Sequence, residues 1–277
     1  MRIDCHVHIT PPDIAANWEK YAQKEPYFSL ISRSKVNKFA TAENVIEMLD
    51  KNNFNKAVVF GFAFRDIGLC RYVNNYVIEK INEFPQRLIG FAVVPPGKES
   101  GNEIYRCYNE GLKGVGELFP QGQEFNPENK KETDTITCAC KELDIPLLLH
   151  SNEEVGHYYP GKTNITLKQM ETFVTNHPDL KIILAHFGGG LFFYETMKEI
   201  KNGFSNVYYD ISGAPFLYDY RIYNMINALG ISKRILFGSD FPILSPLRYF
   251  TCLEKSNLTE NEKQLIFGKN AEKLFSI

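Results

Sequence analysis

Short runs of aliphatic and β-branched residues recur eight times in this chain, at residues 2–8, 56–61, 88–93, 114–118, 146–150, 181–186, 206–211 and 234–238. Between them lie stretches with apolar residues at three- and four-residue spacing, at 41–53, 73–84, 102–110, 131–143, 167–176, 192–202 and 222–229. The short runs read as strands and the longer stretches as amphipathic helices. Strict alternation of the two implies parallel strands joined by helical crossovers. Eight rounds favour a closed (β/α)₈ TIM barrel over the main rival, an open doubly wound sheet. At 277 residues the chain exceeds a common domain but suits one α/β barrel. Prolines and glycines gather at strand ends, as in Pro95-Pro96-Gly97 and Gly188-Gly189-Gly190, and form no flexible tract. A single domain over 1–277 is therefore expected. Its one long irregular connection, about residues 9–39, carries Trp18, Tyr21, Tyr27 and Phe28; it reads equally as a lid over a site and as an ordinary insertion.

Reactive groups of such barrels stand at the C-terminal ends of the strands. The first run ends in His6-Val7-His8. Alternate strand residues share a face, so both imidazoles can reach one metal ion. Later runs end in Glu117, His150, His186 and Asp240. Imidazole nitrogen and carboxylate oxygen suit zinc, and also manganese, iron or nickel. Four histidines and two carboxylates suffice for two ions if Glu117 bridges them. A hydroxide shared by two ions would be a nucleophile, with Asp240 taking its proton and passing it to a leaving group. Asp4 and Asp210 stand where they can orient the imidazoles. Arg65, after the second strand, is the candidate for pairing with a substrate carboxylate. His157 and His177 lack strand-end placement and read as surface or capping groups.

The set His6-x-His8, His150, His186 and Asp240, spread over eight β/α units, resembles the metal-dependent amidohydrolase superfamily, and most closely its amidohydrolase 2 branch. The likeness spans essentially the whole chain, including Gly268-Lys269-Asn270-Ala271-Glu272-Lys273-Leu274-Phe275, which looks like the closing helix of that branch. The resemblance implies His6 and His8 on one metal, His150 and His186 on another, and Asp240 as acid and base. Glu117 is similar to the bridging glutamate of some members. Several members of the branch are instead mononuclear decarboxylases that lack a carboxylate on strand 4. With Glu117 present, a metal-dependent hydrolase acting on an amide, lactone or ester of a small molecule is expected, with one or two zinc ions and two favoured. A mononuclear decarboxylase of a small carboxylic acid is the alternative, and a non-catalytic binding barrel is a third reading.

Net charge of -2 gives no electrostatic reason to expect nucleic acid. No apolar run approaches the roughly 20 residues that cross a bilayer, so a small-molecule partner and a cytoplasmic location are expected. A homodimer is compatible with the sequence. Six cysteines without a Cys-x-x-Cys pair read as reduced thiols.

Overall fold

The computed structural model describes residues 1–34 and 39–277. Its eight strands are β1 (Ile3–His8), β2 (Lys56–Phe60), β3 (Leu88–Ala92), β4 (Gly114–Leu118), β5 (Leu147–Leu149), β6 (Ile182–Leu184), β7 (Val207–Asp210) and β8 (Ile235–Leu236). They pair in chain order, every pair parallel. The ends of the sheet then meet. Cys5 N–H donates to Phe237 O at 2.7 Å, His8 N–H to Phe241 O at 2.8 Å, and Asp240 N–H to His6 O at 2.9 Å. These bonds tie β1 to the residues that follow β8, and they exclude the open sheet. A Cβ at Gly238 would lie 2.7 Å from His6 Cβ, so only a glycine lets the two segments approach this closely.

Two apolar layers follow from the period-2 alternation of the strands. Ala57, Val59, Val115, Leu147, Leu149, Ile182 and Leu184 pack with helix residues such as Val45, Leu49, Val77, Ile136 and Val174. Val58, Phe60, Ile89, Phe91, Leu148, Ile183 and Leu236 form the other layer. Phe60 meets the rings of His6 and His8 at 5.1 and 4.8 Å, which places this second layer inside the barrel, under the site.

Helices begin where side chains can satisfy their first amides. Thr41 caps Ala42–Lys51 and Thr166 caps Leu167–Asn176, both as capping boxes, and Asp66 starts Ile67–Glu83 earlier than the apolar spacing suggested. The helix expected over 192–202 is split at Met197, whose ψ of 127° is extended: a tighter 3₁₀ segment runs to Thr196 and the α-helix is Lys198–Gly203. Before it, Phe187, Gly188, Gly189 and Gly190 all have positive φ, which a right-handed helix cannot contain. The long connection after β1 holds three short helices, Pro12–Ala16, Trp18–Ala22 and Pro26–Ser32. Phe28 anchors the last of them against Phe39, Phe62 and Phe64. Part of the lid expectation falls on 35–38, outside the described residues. No helix of the described residues is long and apolar enough to cross a membrane, and the cysteines there are unpaired.

A buried ion pair ties the segment after β6 to the starts of β7 and β8. The Glu195 carboxylate, 1% exposed, accepts from Arg234 Nη1 at 2.8 Å, Arg234 Nη2 at 2.6 Å and the Tyr209 hydroxyl at 3.0 Å. Arg234 also donates to the carbonyls of Phe204 and Val207. Removing one partner leaves an uncompensated buried charge. Arg234→Met is therefore expected to destabilise the fold by about 3–5 kcal/mol, read from urea unfolding; a loss under about 1 kcal/mol would show the pair to be dispensable.

Candidate metal centre

Six side chains singled out at strand ends converge at one mouth of the barrel, all buried: His6, His8, Glu117, His150, His186 and Asp240. Local backbone explains how they arrive there. Gly116 has φ 125°, and a Cβ on it would sit 2.3 Å from Leu148 O, so β4 can lie against β5 and present Glu117 only with glycine at this place. His186 and Asp240 both have left-handed backbones, with φ of 55° and 61°. Such turns re-aim a side chain at a strand end, and they are less disfavoured for Asp and His than for most residues. Strand alternation alone could not have located them.

The donor atoms form two sets that share Glu117. His6 Nε2 and His8 Nε2 each lie 3.5 Å from Glu117 Oε2, and 3.7 and 3.4 Å from Asp240 Oδ1. Four donors about 2.1 Å from one ion, at tetrahedral corners, would be about 3.4 Å apart. Those four spacings are close to that value, and donor atoms of His6, His8 and Asp240 all lie within 4.8 Å of one another, as do those of His6, Glu117 and His186. The other oxygen, Glu117 Oε1, faces His150 Nδ1 at 2.9 Å and His186 Nε2 at 3.6 Å.

Each of three imidazoles is held from behind by a group that can only accept a hydrogen bond. His6 Nδ1–H donates to Asp210 Oδ2 at 2.9 Å, His150 Nε2–H to Gly161 O at 3.0 Å, and His186 Nδ1–H to Ser212 O at 3.0 Å. In a neutral ring the remaining nitrogen then presents a lone pair. Those lone pairs point at the carboxylates of Glu117 and Asp240, where two acceptors would repel unless a cation or proton lay between them. His6 Nε2 is buried with no hydrogen-bond partner. A divalent ion fits these residues, and the outer acceptors fix the tautomer each ligand needs.

Charges in the cluster are strongly coupled. Burial opposes ionisation of Glu117, yet the neighbouring His6 and His150 hold its carboxyl well below the usual carboxylate range. Burial likewise opposes protonation of His6, but Asp210 and Glu117 raise it well above an ordinary imidazole. His186 is raised to about 9, with Glu117 and Asp240 outweighing its burial. His150 is lowered, chiefly by burial. Behind the site, Asp4 is pushed up to about 7 by burial while it accepts from the amides of His6 and Ser239. Asp210 takes the orienting part expected of it, and also accepts from the His186 amide at 3.0 Å.

Above the cluster opens a cavity of about 440 Å³. Its walls are mainly aromatic and aliphatic, among them Tyr27, Phe28, Phe62, Phe119, Phe216 and Leu244. Phe62 stacks on His8 at 5.0 Å and Phe119 on His150 at 3.9 Å. Arg65, expected as a substrate ligand, does not line this cavity. Its guanidinium donates to Glu124 and to Lys24 O and lies 3.8 Å from Glu25, pairs formed by loops that the sequence did not bring together. Of the two remaining histidines, His157 is exposed, whereas His177 is the buried C-cap of Leu167–Asn176. Ser212, Gly161, Tyr27 and Arg248 were not legible as site residues, since each sits in a loop or a short helix with no periodic signal.

Comparison with known proteins bears on the reaction. Residues 3–277 match the family described as Amidohydrolase. Among curated relatives, the 2-amino-3-carboxymuconate-6-semialdehyde decarboxylase of Dictyostelium discoideum is 23% identical across 98% of this chain and 90% of that protein. The gamma-resorcylate decarboxylase of a Polaromonas species is 24% identical across 75% of this chain and 76% of that protein. A solved dihydroxybenzoic acid decarboxylase from Polaromonas, with bound manganese and 2-nitroresorcinol, superposes with a TM-score of 0.73 at 18% identity, covering 99% of this chain and 96% of that one. Hydrolysis, expected from the presence of Glu117, is corrected by these relatives, which are decarboxylases. The physical reason is that Glu117 sets the charge and number of donors, and leaves open which substrate bond is held above them. The family match runs from residue 3 to the last residue, and the chain belongs to the amidohydrolase family.

Proposed function

We propose that this chain is a metal-dependent decarboxylase of small aromatic or unsaturated carboxylic acids. The observation that carries the reading is the set of three histidines, each anchored on one nitrogen and aimed with the other at Glu117 and Asp240, on the floor of an aromatic-walled cavity. Decarboxylase relatives support the choice of reaction. A purely binding barrel would have no need of this donor set.

A divalent ion bound here would grip an oxygen of the substrate and draw electron density toward itself. The donors suit manganese as well as zinc, and a manganese-bound relative favours testing manganese first. His6, His8, Asp240 and Glu117 Oε2 would hold one ion; Glu117 Oε1, His150 and His186 offer a second position. Loss of carbon dioxide breaks the bond between the substrate carbon and its carboxylate, and leaves the electron pair on that carbon. A proton must replace what departs. Asp240 closes the donor set and also lines the cavity, so its carboxylic acid is the group placed to give that proton and to regain one from water. Aromatic walls keep other water away from the carbanion-like carbon and favour spreading of the carboxylate charge.

Incubating metal-loaded protein with a panel of hydroxybenzoic and unsaturated dicarboxylic acids is expected to release one carbon dioxide per acid consumed, and products retaining every carbon would sink the proposal. Asp240→Asn is expected to slow release by about 10²–10⁴-fold with the fold intact by circular dichroism. Metal analysis at saturation should find two ions per chain in the wild type and one in Glu117→Ala; equal content in both would remove Glu117 from the ligand set. Because His6 and His186 are held protonated by neighbouring carboxylates, metal entry must expel protons. His186 is raised to about 9, so metal affinity is expected to rise with pH up to about that value. Proton release on adding manganese to metal-free protein, followed with an indicator dye, checks the sign.

A further inference from the structure

Among the described residues, Arg248 is the only lysine or arginine lining the main cavity. It stands in the first turn of Leu247–Lys255, the helix that follows Asp240 and β8. Its side chain has no ion pair, hydrogen bond or ring contact with any described residue. The arginines elsewhere are engaged: Arg2 over Phe250 and Phe267, Arg33 with Ser29, Arg65 with Glu124, Arg71 with Glu99, Arg87 with Asp50, Arg106 with Glu103, Arg221 with Asp219 and Arg234 with Glu195. Arg248 is also solvent-exposed, whereas the metal-ligand candidates are buried. The cavity thus has a donor cluster at its floor, apolar walls, and a single free guanidinium at its rim.

We infer that Arg248 anchors a second anionic group of the substrate, so that the acids taken by this site carry two negative charges, one over the donor cluster and one at the rim. The inference rests on the cavity being the substrate site of the proposed function. Guanidinium is suited to the task because its planar fork meets a carboxylate with two parallel hydrogen bonds. Ile243 and Leu244 line the cavity from the same segment, so the apolar body of the substrate would pass them before its second charge reaches Arg248. Tyr27 adds a further polar atom: its hydroxyl is buried, has no hydrogen-bond partner, and belongs to a cavity-lining side chain. It is placed to receive a neutral hydroxyl or carbonyl of the same ligand.

Titration calorimetry on manganese-loaded protein separates these ideas without relying on turnover. The probes are benzoate, with one charge, and phthalate, isophthalate and terephthalate, which place a second carboxylate at three spacings. At least one diacid is expected to bind about 10- to 100-fold more tightly than benzoate. Arg248→Met should abolish that advantage while leaving benzoate affinity within about twofold, and Arg248→Lys should keep part of it. Equal affinity of benzoate and all three diacids in the wild type would overturn the inference. So would an advantage that survives Arg248→Met, or failure of every probe to bind. A diacid advantage that depends on Arg248, in a protein that releases no carbon dioxide from any acid, would overturn the proposed reaction and keep the anchor.

Discussion

Everything at the mouth of this barrel depends on one carboxylate buried among four imidazoles. Glu117 lies within 3.6 Å of a ring nitrogen of His6, His8, His150 and His186, and it is removed from water. A buried carboxylate is tolerated only with compensating charge. Two sources of compensation are available, protons on the histidines or a metal ion among them, and they exclude each other. Asp210, Ser212 and Gly161 serve either source, because each takes the N–H of one ring and leaves the opposite nitrogen facing inward, toward a proton or an ion. The raised affinity of His6 and His186 for protons is the same field seen without the ion.

The barrel supplies that arrangement through strand order. β1, β4, β5, β6 and the segment after β8 each bring one or two donors, and the hydrogen bonds of His8, Asp240 and Cys5 to their partners across the closure fix the first donors against the last. Asp210, at the end of β7, then braces both His6 and His186 from the gap between them. The bonds across the closure hold His8 and Asp240 in one donor set.

Much of this was legible because it rests on periodicity. Eight apolar runs gave the strands within about two residues of their ends, and six polar residues at or just past the C-terminal ends of those runs are the ones that meet. The misses have a common cause. Residues 192–202 carry helical spacing, but Met197 adopts an extended backbone that divides the stretch into a 3₁₀ segment and a helix from Lys198. Arg65 follows β2 as a substrate ligand should, yet Glu25 and Glu124, distant in sequence, claim it. Arg248 lies on a helix eight residues past Asp240, where no strand pattern assigns a direction to a side chain. Side chains on strands were readable; side chains on loops depend on contacts that only the folded chain makes.

Reaction type lies one step further from the sequence than ligand identity does. The same six donors would serve attack by hydroxide or departure of carbon dioxide, since both need a cation that steadies oxygen. What differs is the surroundings of the reacting carbon. A hydrolytic site must keep water beside the metal and supply a proton to a leaving group, whereas a decarboxylating site gains from excluding water while negative charge moves from oxygen to carbon. Phe62 stacks on His8 and Phe119 on His150, and further aromatic and aliphatic side chains line the cavity with them. Apart from Arg248, the charged side chains and histidines that line the cavity among the described residues are those of the donor cluster at its floor. A carboxylate held on such a floor has few partners for its charge except the donor cluster and Asp240, and the apolar walls weigh against the charge-localised ground state more than against the dispersed transition state.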